Sequence, residues 1–229
     1  MRMTIFGDTA LLVEDEPAID AAVNARILAI SELVRGACVP GVRDVVPAFA
    51  SFAVHFDPEC TDVAVLRALV TRLIDDIPAA YVETHRDALE VPVCYGGRFG
   101  PDLAAVAAWG GWGPLDVVAA HIAREYRVFM VGFLPGFPYL ASVDERIAMP
   151  RRDTPRPHVA AGSVGIAGRQ TGVYPFDSPG GWQIIGRTPL QLFDPHRGPP
   201  ALFSAGQRVR FRPITPSDFD AARRAGAPR

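Results

Sequence analysis

Apolar and polar positions along roughly the first eighty residues follow two different spacings. Short segments are continuously or alternately apolar, as in β-strands, whereas two longer segments repeat apolar side chains at the spacing of a helix. The predicted elements are a strand over residues 3–13, a helix over 17–34, strands over 42–46 and 49–56, and a helix from Thr61 or Asp62 to Asp75. This order of strand, helix, strand, strand, helix predicts a compact α/β domain.

One further strand would complete this domain, and two segments are candidates for it. Residues 80–84 and 89–94 both suit a strand, and Pro78 marks the end of the preceding helix. We therefore expect the first domain to cover residues 1–85, with the boundary between residues 78 and 90.

The rest of the chain changes character after two short helical segments. Residues 101–109 and 115–124 have helical spacing on either side of a GGWGP turn. From Arg127 onward, short apolar segments alternate with Gly, Pro, Asp and Ser turns about every 8–12 residues, which is typical of a β-barrel or sandwich. Strands are predicted over 128–133, 163–167, 170–174, 182–185, 190–194 and 208–213, and a frayed tail over 221–229.

Composition and charge narrow the possible functions. The chain has 229 residues and a formal net charge of −2, which argues against an extended basic surface for nucleic acid. No apolar run approaches the ~20 residues of a membrane-spanning helix, and the N-terminus MRMTIFGD lacks the features of a secretory signal. We therefore expect a cytoplasmic protein that binds neither nucleic acid nor membrane.

All 23 Lys and Arg residues are arginine, because the sequence contains no lysine. This absence excludes a P-loop lysine, a Schiff-base lysine and a lysine that carries biotin. Cys38, Cys60 and Cys94 are widely spaced, which favours reduced, buried thiols over a disulfide framework. The sequence has no Walker A, dinucleotide-binding, C-x-x-C or H-E-x-x-H motif, so no metal site is predicted on this chain.

The segment from Gly132 to Pro195 is dense in glycine and proline. Within SVGIA, residues 163–167, the bulky Val164 and Ile166 alternate with small residues, so one face of the strand leaves room for a ligand or a neighbouring backbone. The AGSVG sequence around Ser163 approximates a nucleophile elbow. A predicted strand rather than a helix follows it, so Ser163 is expected to line a groove.

Five motifs spread over the whole chain resemble one known family. They are FGDTALLVE, GFLPGFPYL, PRPHVAAGSVGIAGRQTGVYP, SPGGWQIIGRTPLQLFDP and GQRVRFRPI. The family is that of the 5-oxoprolinase B subunit, KipI and the first subunit of allophanate hydrolase, which is built on the carboxyltransferase domain, subdomains C and D. The resemblance implies an α+β fold with a ferredoxin-like domain over residues 1–85 and a cyclophilin-like β-barrel over residues 86–229.

The resemblance also implies a function within a complex. The enzyme of this family hydrolyses the cyclic amide 5-oxo-L-proline to L-glutamate with ATP, and this chain would work with a homologous C subunit, KipA-like, and a lactam-hydrolase-type A subunit. Because the chain has no phosphate-binding motif of its own, ATP is expected at a site shared within the complex, and the isolated chain is expected to be inactive. No covalently bound biotin is expected on this chain.

Two other functions within the same family stay open. A KipI-like chain would inhibit the autophosphorylation of a sensor histidine kinase, and an exposed apolar groove that accepts a helix would favour this function. The other function is half of a carboxyltransferase of the urea-carboxylase or allophanate-hydrolase kind, in which biotin meets a urea-like amide.

The candidate binding residues are polar or small residues of the glycine-rich segment, and no catalytic residue is assigned. Arg156 and Arg187 match family positions and suit an anion, because a guanidinium can hold a carboxylate or phosphate through two hydrogen bonds. Arg151 and Arg152 are expected to be solvated. The aromatic loop GFLPGFPYL is expected to plug a barrel end or to form the wall of a cleft. The full set is Arg156, His158, Gly162, Ser163, Gln170, Tyr174, Ser178, Gln183 and Arg187.

Overall fold

The structure, a computed structural model, describes residues 1–77 and 88–225 of the chain. It divides into two compact units, Met1–His85 and Arg86–Arg229. Helices and strands occur together in both units, so the α+β class predicted from the sequence is confirmed.

Residues 1–77 form a four-stranded antiparallel sheet and two helices. The elements are β1 (Arg2–Phe6), β2 (Ala10–Glu14), α1 (Ala21–Gly36), β3 (Val42–Pro47), β4 (Ser51–Phe56) and α2 (Val63–Asp76). The order in the sheet is β1-β2-β4-β3, so β2 and β3 both run antiparallel to the strand that separates them. Buried side chains of β2, α1 and β4, such as Leu11, Ile30 and Phe52, form the core.

Capping side chains set where the two helices begin. Asp20 precedes α1, and its Oδ1 accepts a hydrogen bond of 2.8 Å from the backbone N–H of Ala22. Asp62 precedes α2, and its Oδ1 accepts one of 2.7 Å from Ala64. Because such caps satisfy N–H groups that have no partner within the helix, Asp62 rather than Thr61 fixes the start of α2.

Residues 88–225 form a closed seven-stranded β-barrel, a separate two-stranded sheet and three α-helices. The elements are β5 (Leu89–Tyr95), α3 (Leu103–Gly110), α4 (Pro114–Ile122), β6 (Glu125–Val131), β7 (Pro138–Ala141), a 3-10 turn at Glu145–Ile147, β8 (Arg156–Val159), β9 (Ser163–Ala167), β10 (Gln170–Val173), β11 (Ser178–Gly180), β12 (Gln183–Arg187), β13 (Arg208–Pro213) and α5 (Pro216–Ala225). The order around the barrel is β10-β7-β6-β13-β5-β12-β9, and β8 pairs with β11 outside it.

The last strand closes the barrel. β13 lies between β5 and β6, parallel to β5 and antiparallel to β6. The other strand pairs of the barrel are antiparallel. Inward-facing side chains from all sides form one apolar core, which includes Val93, Ile166 and Phe211.

α3 and α4 are short apolar helices joined by a glycine-rich turn. Gly111 ends α3 in the left-handed conformation with φ of +70°, which glycine adopts without strain. Pro114 is the first residue of α4, and a carboxylate oxygen of Asp116 accepts a hydrogen bond of 3.0 Å from the Gly113 N–H. None of the described helices is long and apolar enough to cross a membrane alone; α3 and α4 reach that length and composition only as a pair bent by 91°.

Two predictions for the first part of the chain need correction. The strand predicted over residues 3–13 is a hairpin, because Gly7 reverses the chain with φ of +62°. Residues 89–94, one candidate for the last strand of the first domain, lie in β5 of the barrel. The other candidate, residues 80–84, lies outside the described residues.

Further corrections concern the barrel unit. Residues 190–194 are not a strand, and contribute only an isolated bridge between Phe193 and Ala201. The short strands β7, β8 and β11 were not predicted. The tail predicted to be frayed is helical as far as Ala225, since α5 is anchored by the buried Phe219, whose ring centroid lies 4.6 Å from that of Phe99.

The structure also answers two smaller questions. All three cysteines are free, but Cys38 and Cys60 are exposed and only Cys94 is buried, so the prediction of buried thiols is wrong for two of them. The sequence left the isomers of Pro135 and Pro138 undecided. Both follow trans peptide bonds, since the cis bonds of the described chain are Ala141–Ser142 and Gly198–Pro199.

Candidate functional site

A cleft of about 280 Å³ lies beside the two-stranded sheet of the second unit. Four parts of the chain meet there: the loop that leads into β7, the loop before β8, the residue after β10, and the connection from β11 to β12. The lining residues are Phe133, Phe137, Tyr139, Arg151, Pro155, Tyr174, Pro179, Gly180, Gly181 and Trp182. The aromatic loop GFLPGFPYL therefore supplies one wall of a cleft, which is one of the two roles expected for it.

The aromatic wall is fixed by contacts among its own rings. Phe137 is 1% exposed, and its ring centroid lies 4.8 Å from that of Tyr139, 5.2 Å from Tyr174 and 5.4 Å from Trp182. The planes of Phe137 and Tyr174 meet at 88°, and those of Phe137 and Trp182 at 83°. Edge-to-face contacts of this kind stabilise one arrangement of the rings, so the wall is formed before any ligand arrives.

Gly180 and Gly181 line the cleft with backbone atoms, and the absence of a side chain matters for a different reason at each position. A Cβ at Gly180 would lie 2.4 Å from the Tyr174 hydroxyl oxygen, so the close contact with this ring requires glycine. A Cβ at Gly181 would meet nothing closer than the Arg151 Nη2, at 3.5 Å, which is an ordinary contact distance. Gly181 therefore leaves open a space beside Arg151 that a larger side chain would fill.

The two tyrosines of the cleft stay protonated near neutral pH. Burial raises the pKa of the Tyr174 phenol, although a hydrogen bond from the Trp182 backbone and the charge of Arg151 oppose the shift. Burial likewise raises the pKa of Tyr139, again against the charge of Arg151. Neutral phenols can donate a hydrogen bond to a carbonyl or carboxylate oxygen.

A buried carboxylate organises the loop that carries the arginines. Asp102 is 5% exposed, and its Oδ1 lies 2.5 Å from Nη2 of Arg156 and 3.7 Å from Nη1 of Arg152. Its Oδ2 accepts a hydrogen bond of 2.6 Å from the Ile184 N–H, and its own backbone N–H donates to the Ile184 carbonyl oxygen at 2.9 Å. Asp102 thus joins the loop before β8 and the first residue of β8 to β12.

Two of the predicted binding residues, His158 and Arg187, lie around the peptide of Ala161. The Ala161 N–H donates to Asp177 at 2.7 Å, and the Ala161 carbonyl oxygen accepts a hydrogen bond of 2.7 Å from Nε of Arg187. His158 Nε2 lies 3.0 Å from the other Asp177 oxygen. The Ala161 N–H and then His158 lower the pKa of Asp177, and burial lowers that of Arg187. Arg187 and Asp177 therefore hold the turn before β9 in place.

The remaining predicted residues lie in or near the strands. Gly162 has φ of +83°, and a Cβ there would lie 2.3 Å from the Thr188 carbonyl oxygen. Ser163 is 4% exposed and faces Arg187 across the ladder, and Gln170 pairs with Ala167 and Ala141. Nε2 of Gln183 donates a hydrogen bond of 2.9 Å to the Pro150 carbonyl oxygen. The Ser178 hydroxyl is buried and has no hydrogen-bond partner among the described residues.

A second buried polar network lies inside the barrel. Thr171 Oγ1 donates to the Gly165 carbonyl oxygen at 2.9 Å and lies 3.0 Å from His121 Nε2. Since its one proton is used, this hydroxyl accepts from Nε2–H, and Nδ1 of His121 in turn accepts from the Tyr95 hydroxyl at 2.8 Å. His121 is fully buried, and burial lowers its pKa from 6.5 to about 3. The histidine is therefore neutral and its tautomer is fixed.

The structure brings together only part of the predicted site. Of the nine predicted binding residues, only Tyr174 lines the cleft, and Arg156 instead pairs with Asp102. Sequence analysis missed Asp102 and His121. It expected Arg151 to be solvated, and Arg151 is exposed, but it also lines the cleft. The one available signal for Asp102 was a single acidic residue in the otherwise apolar GPDLAAVAAW, a position that suits a helix cap equally well.

Comparison with known proteins gives consistent results. The sequence-family model of the carboxyltransferase domain, subdomain C and D, matches residues 1–203 of the chain. The chain is 42% identical over 225 residues to the 5-oxoprolinase B subunit of Bacillus subtilis, covering 94% of this chain and 93% of that protein. It is 43% identical over 213 residues to the 5-oxoprolinase B subunit of Escherichia coli O157:H7, covering 93% and 95%.

Among solved structures, the crystal structure of TTHA0988 superimposes with a TM-score of 0.79 at 38% identity. The match covers 90% of this chain and 41% of TTHA0988, so the chain spans less than half of that protein. The family resemblance carried by the glycine-rich motifs is confirmed. This chain belongs to the family of the carboxyltransferase domain, subdomain C and D, together with the 5-oxoprolinase B subunits to which it is similar.

Proposed function

We propose that this chain is the B subunit of an ATP-dependent 5-oxoprolinase, which hydrolyses 5-oxo-L-proline to L-glutamate. The observation that carries the proposal is 42–43% identity, over more than nine-tenths of both chains, to the B subunits of two 5-oxoprolinases. The preformed cleft, with aromatic walls, neutral phenols and one guanidinium, suits a small polar ring.

The chemistry of the substrate explains why a complex and ATP are needed. A five-membered lactam is an unreactive amide, and phosphorylation of its oxygen would turn it into an electrophile that water can attack. The sequence of this chain has no phosphate-binding motif, so we place ATP at a site shared with partner subunits. The proposed partners are a homologous C subunit and a lactam-hydrolase-type A subunit, and the isolated chain is inactive.

Finer features of the fold belong to the same proposal. The order β2–α1–β3–β4–α2, with β4 between β2 and β3 in the sheet, supports a ferredoxin-like first domain. The closed barrel of the second unit supports a cyclophilin-like one. The exposed free thiols of Cys38 and Cys60 suit a reducing compartment, which supports a cytoplasmic complex.

Co-expression with the neighbouring subunits tests the function directly. We expect 5-oxoproline-dependent ATP hydrolysis by the complete complex, its loss when this chain is left out, and no turnover by this chain alone. A complex that keeps full activity without this chain would contradict the proposal. Inhibition of a histidine kinase's autophosphorylation by the chain would favour a KipI-like function, and carboxyl transfer to a urea-like amide would favour a carboxyltransferase.

A further inference from the structure

We infer that Arg151 binds the carboxylate of a small ring amide in the aromatic cleft, and that the cleft holds the lactam substrate rather than the nucleotide. This inference rests on the proposed function, because it assigns the proposed substrate to one residue and one cavity. Three observations on the cleft support it: its charge, its size and the open space beside Arg151.

The charge of the cleft comes from a single side chain. Among the lining residues Arg151 is the one charged group, and no carboxylate lines the cleft. Arg152, in the same loop, and Arg156, at the start of β8, both lie against Asp102. Arg151, in contrast, has no ion pair or hydrogen bond with any residue of the described chain. An exposed guanidinium that lines an otherwise uncharged cleft is complementary to an anion, and its planar fork matches a carboxylate.

The size of the cleft suits the smaller of the two reactants. At about 280 Å³ it lies just below the range of cavities that enclose drug-sized ligands, about 300–1,000 Å³. A five-membered lactam with one carboxylate suits this space and its single guanidinium, whereas a nucleoside triphosphate is much larger and carries three phosphate groups. The flat amide ring can pack on the exposed ring of Phe133, and its carbonyl can accept a hydrogen bond from the partly buried Tyr139 phenol, which is neutral.

Gly181 offers a way to close the cleft without disturbing the fold. An added Cβ would lie 3.5 Å from Nη2 and 3.6 Å from Nε of Arg151, and its next neighbour is the Arg152 carbonyl oxygen at 3.7 Å. These are ordinary contact distances, and Gly181 is not in the left-handed conformation. Gly181→Ala should therefore fold normally while its methyl group occupies the space that a carboxylate needs beside the guanidinium.

The test is direct binding to the full-length chain by isothermal titration calorimetry. The probes are 5-oxoproline, 2-pyrrolidinone, which is the same ring without the carboxylate, acetate, which is the carboxylate without the ring, and ATP. The proteins are the wild type, Arg151→Gln and Gly181→Ala. The control is Arg169→Gln, which removes an exposed arginine whose nearest carboxylate is that of Glu145, 3.7 Å away. Thermal melts on the same samples show whether each variant is folded.

We expect 5-oxoproline to bind equally well to the wild type and to Arg169→Gln. It should bind roughly 10- to 150-fold more weakly to Arg151→Gln, which corresponds to the loss of one charged hydrogen bond. Gly181→Ala should also weaken binding at an unchanged melting temperature. The lactam without its carboxylate, acetate and ATP should each bind far more weakly than 5-oxoproline.

Several results would overturn the inference. These are no binding of 5-oxoproline to the folded wild type, equal binding to Arg151→Gln, equal binding of 2-pyrrolidinone or acetate, and ATP competing for the same site. Each leaves the proposed function standing if the complex still needs this chain for 5-oxoproline-dependent ATP hydrolysis. Conversely, tight Arg151-dependent binding in a chain that the complex does not need would reject the function and retain the site.

Discussion

Two networks in the second unit stabilise buried polar side chains in different ways. Asp102 carries a charge that is balanced by Arg156, Arg152 and the Ile184 N–H. His121 lies inside the barrel, is neutral, and is bonded to Tyr95 and Thr171. Partners that are themselves charged allow a carboxylate to be buried, whereas a group that can lose its charge needs only neutral hydrogen bonds.

The difference has a consequence for each site. The ionic network joins segments far apart in sequence. It holds the loop that contains Arg152 because the Asp102 carboxylate and the two guanidinium groups attract one another. The neutral network can occupy the apolar core because it brings no net charge there. We therefore expect the two networks to respond differently to mutation and to pH.

The largest effect is expected from Asp102→Ala. It leaves Arg156 partly buried without its counter-ion and removes the acceptor of the Ile184 N–H, so the free energy of unfolding should fall by about 3–5 kcal/mol. Urea denaturation measures this loss. The double variant Asp102→Ala with Arg156→Met should lose less than Asp102→Ala alone, since the unpaired charge is gone. Equal losses in the two variants would show that the charge pair is not what matters at this position.

A smaller effect is expected from acidification, and it separates the two networks. The pKa of His121 is lowered by burial from 6.5 to about 3, so between these pH values the unfolded chain binds a proton that the folded protein does not. Stability should therefore fall as pH drops below 6.5, by about 1.4 kcal/mol per pH unit from this residue.

His121→Gln is the matched variant for the pH experiment. Glutamine keeps a hydrogen-bond donor but does not titrate. Between pH 6.5 and 5, the slope of the free energy of unfolding against pH should therefore be smaller than in the wild type by about 1.4 kcal/mol per pH unit, the contribution of one proton. Restricting the range to pH 5 and above limits the contribution of carboxylates. Identical slopes in the two proteins would mean that His121 is not kept neutral by burial.

The smallest effect on stability is expected from Gln183→Ala, which breaks a single neutral hydrogen bond. Gln183 holds the Pro150 carbonyl oxygen, one residue before Arg151, and one such bond contributes about 1 kcal/mol. The free energy of 5-oxoproline binding should fall by more than the free energy of unfolding, because the loop that contains Arg151 is no longer held by this bond. The exposed Gln191→Ala is the control for calorimetry and melting. A lower melting temperature with unchanged binding would limit Gln183 to a structural role.

The sequence predicts the regular parts of this fold well. Strands over 163–167 and 208–213 have the predicted bounds. Buried positions recur with a period of two in residues 208–212, whereas in 163–167 it is bulky and small side chains that alternate, and nearly all of them are buried. Both helices of the first unit were predicted from their apolar spacing. Residues 190–194 look similar, but Phe193 forms only a bridge to Ala201. The Ser178–Gly180 strand has three residues, two of them Pro and Gly, so no periodicity can reveal it.

The site was harder to predict because its contacts join distant residues. Asp102 meets Arg156 and Ile184, which lie 54 and 82 residues further along the chain. The sequence analysis chose Arg156 over Arg151 as the anion-binding residue of PRRDTPRPH, and only the fold shows that Arg156 has a carboxylate partner and that Arg151 lines the cleft. The arginines of a proline-bounded segment thus identify the region proposed to bind a ligand, but not which of their side chains faces it.

The parallel strand that closes the barrel also determines the order in which the protein can fold. β13 fills the gap between β5 and β6, and its residue Val209 pairs with Leu89, 120 positions earlier in the chain. Such a long loop must be closed before the pairing stabilises anything, which slows folding. During synthesis, the barrel therefore stays open, with two unpaired strand edges, until residues 208–213 have left the ribosome.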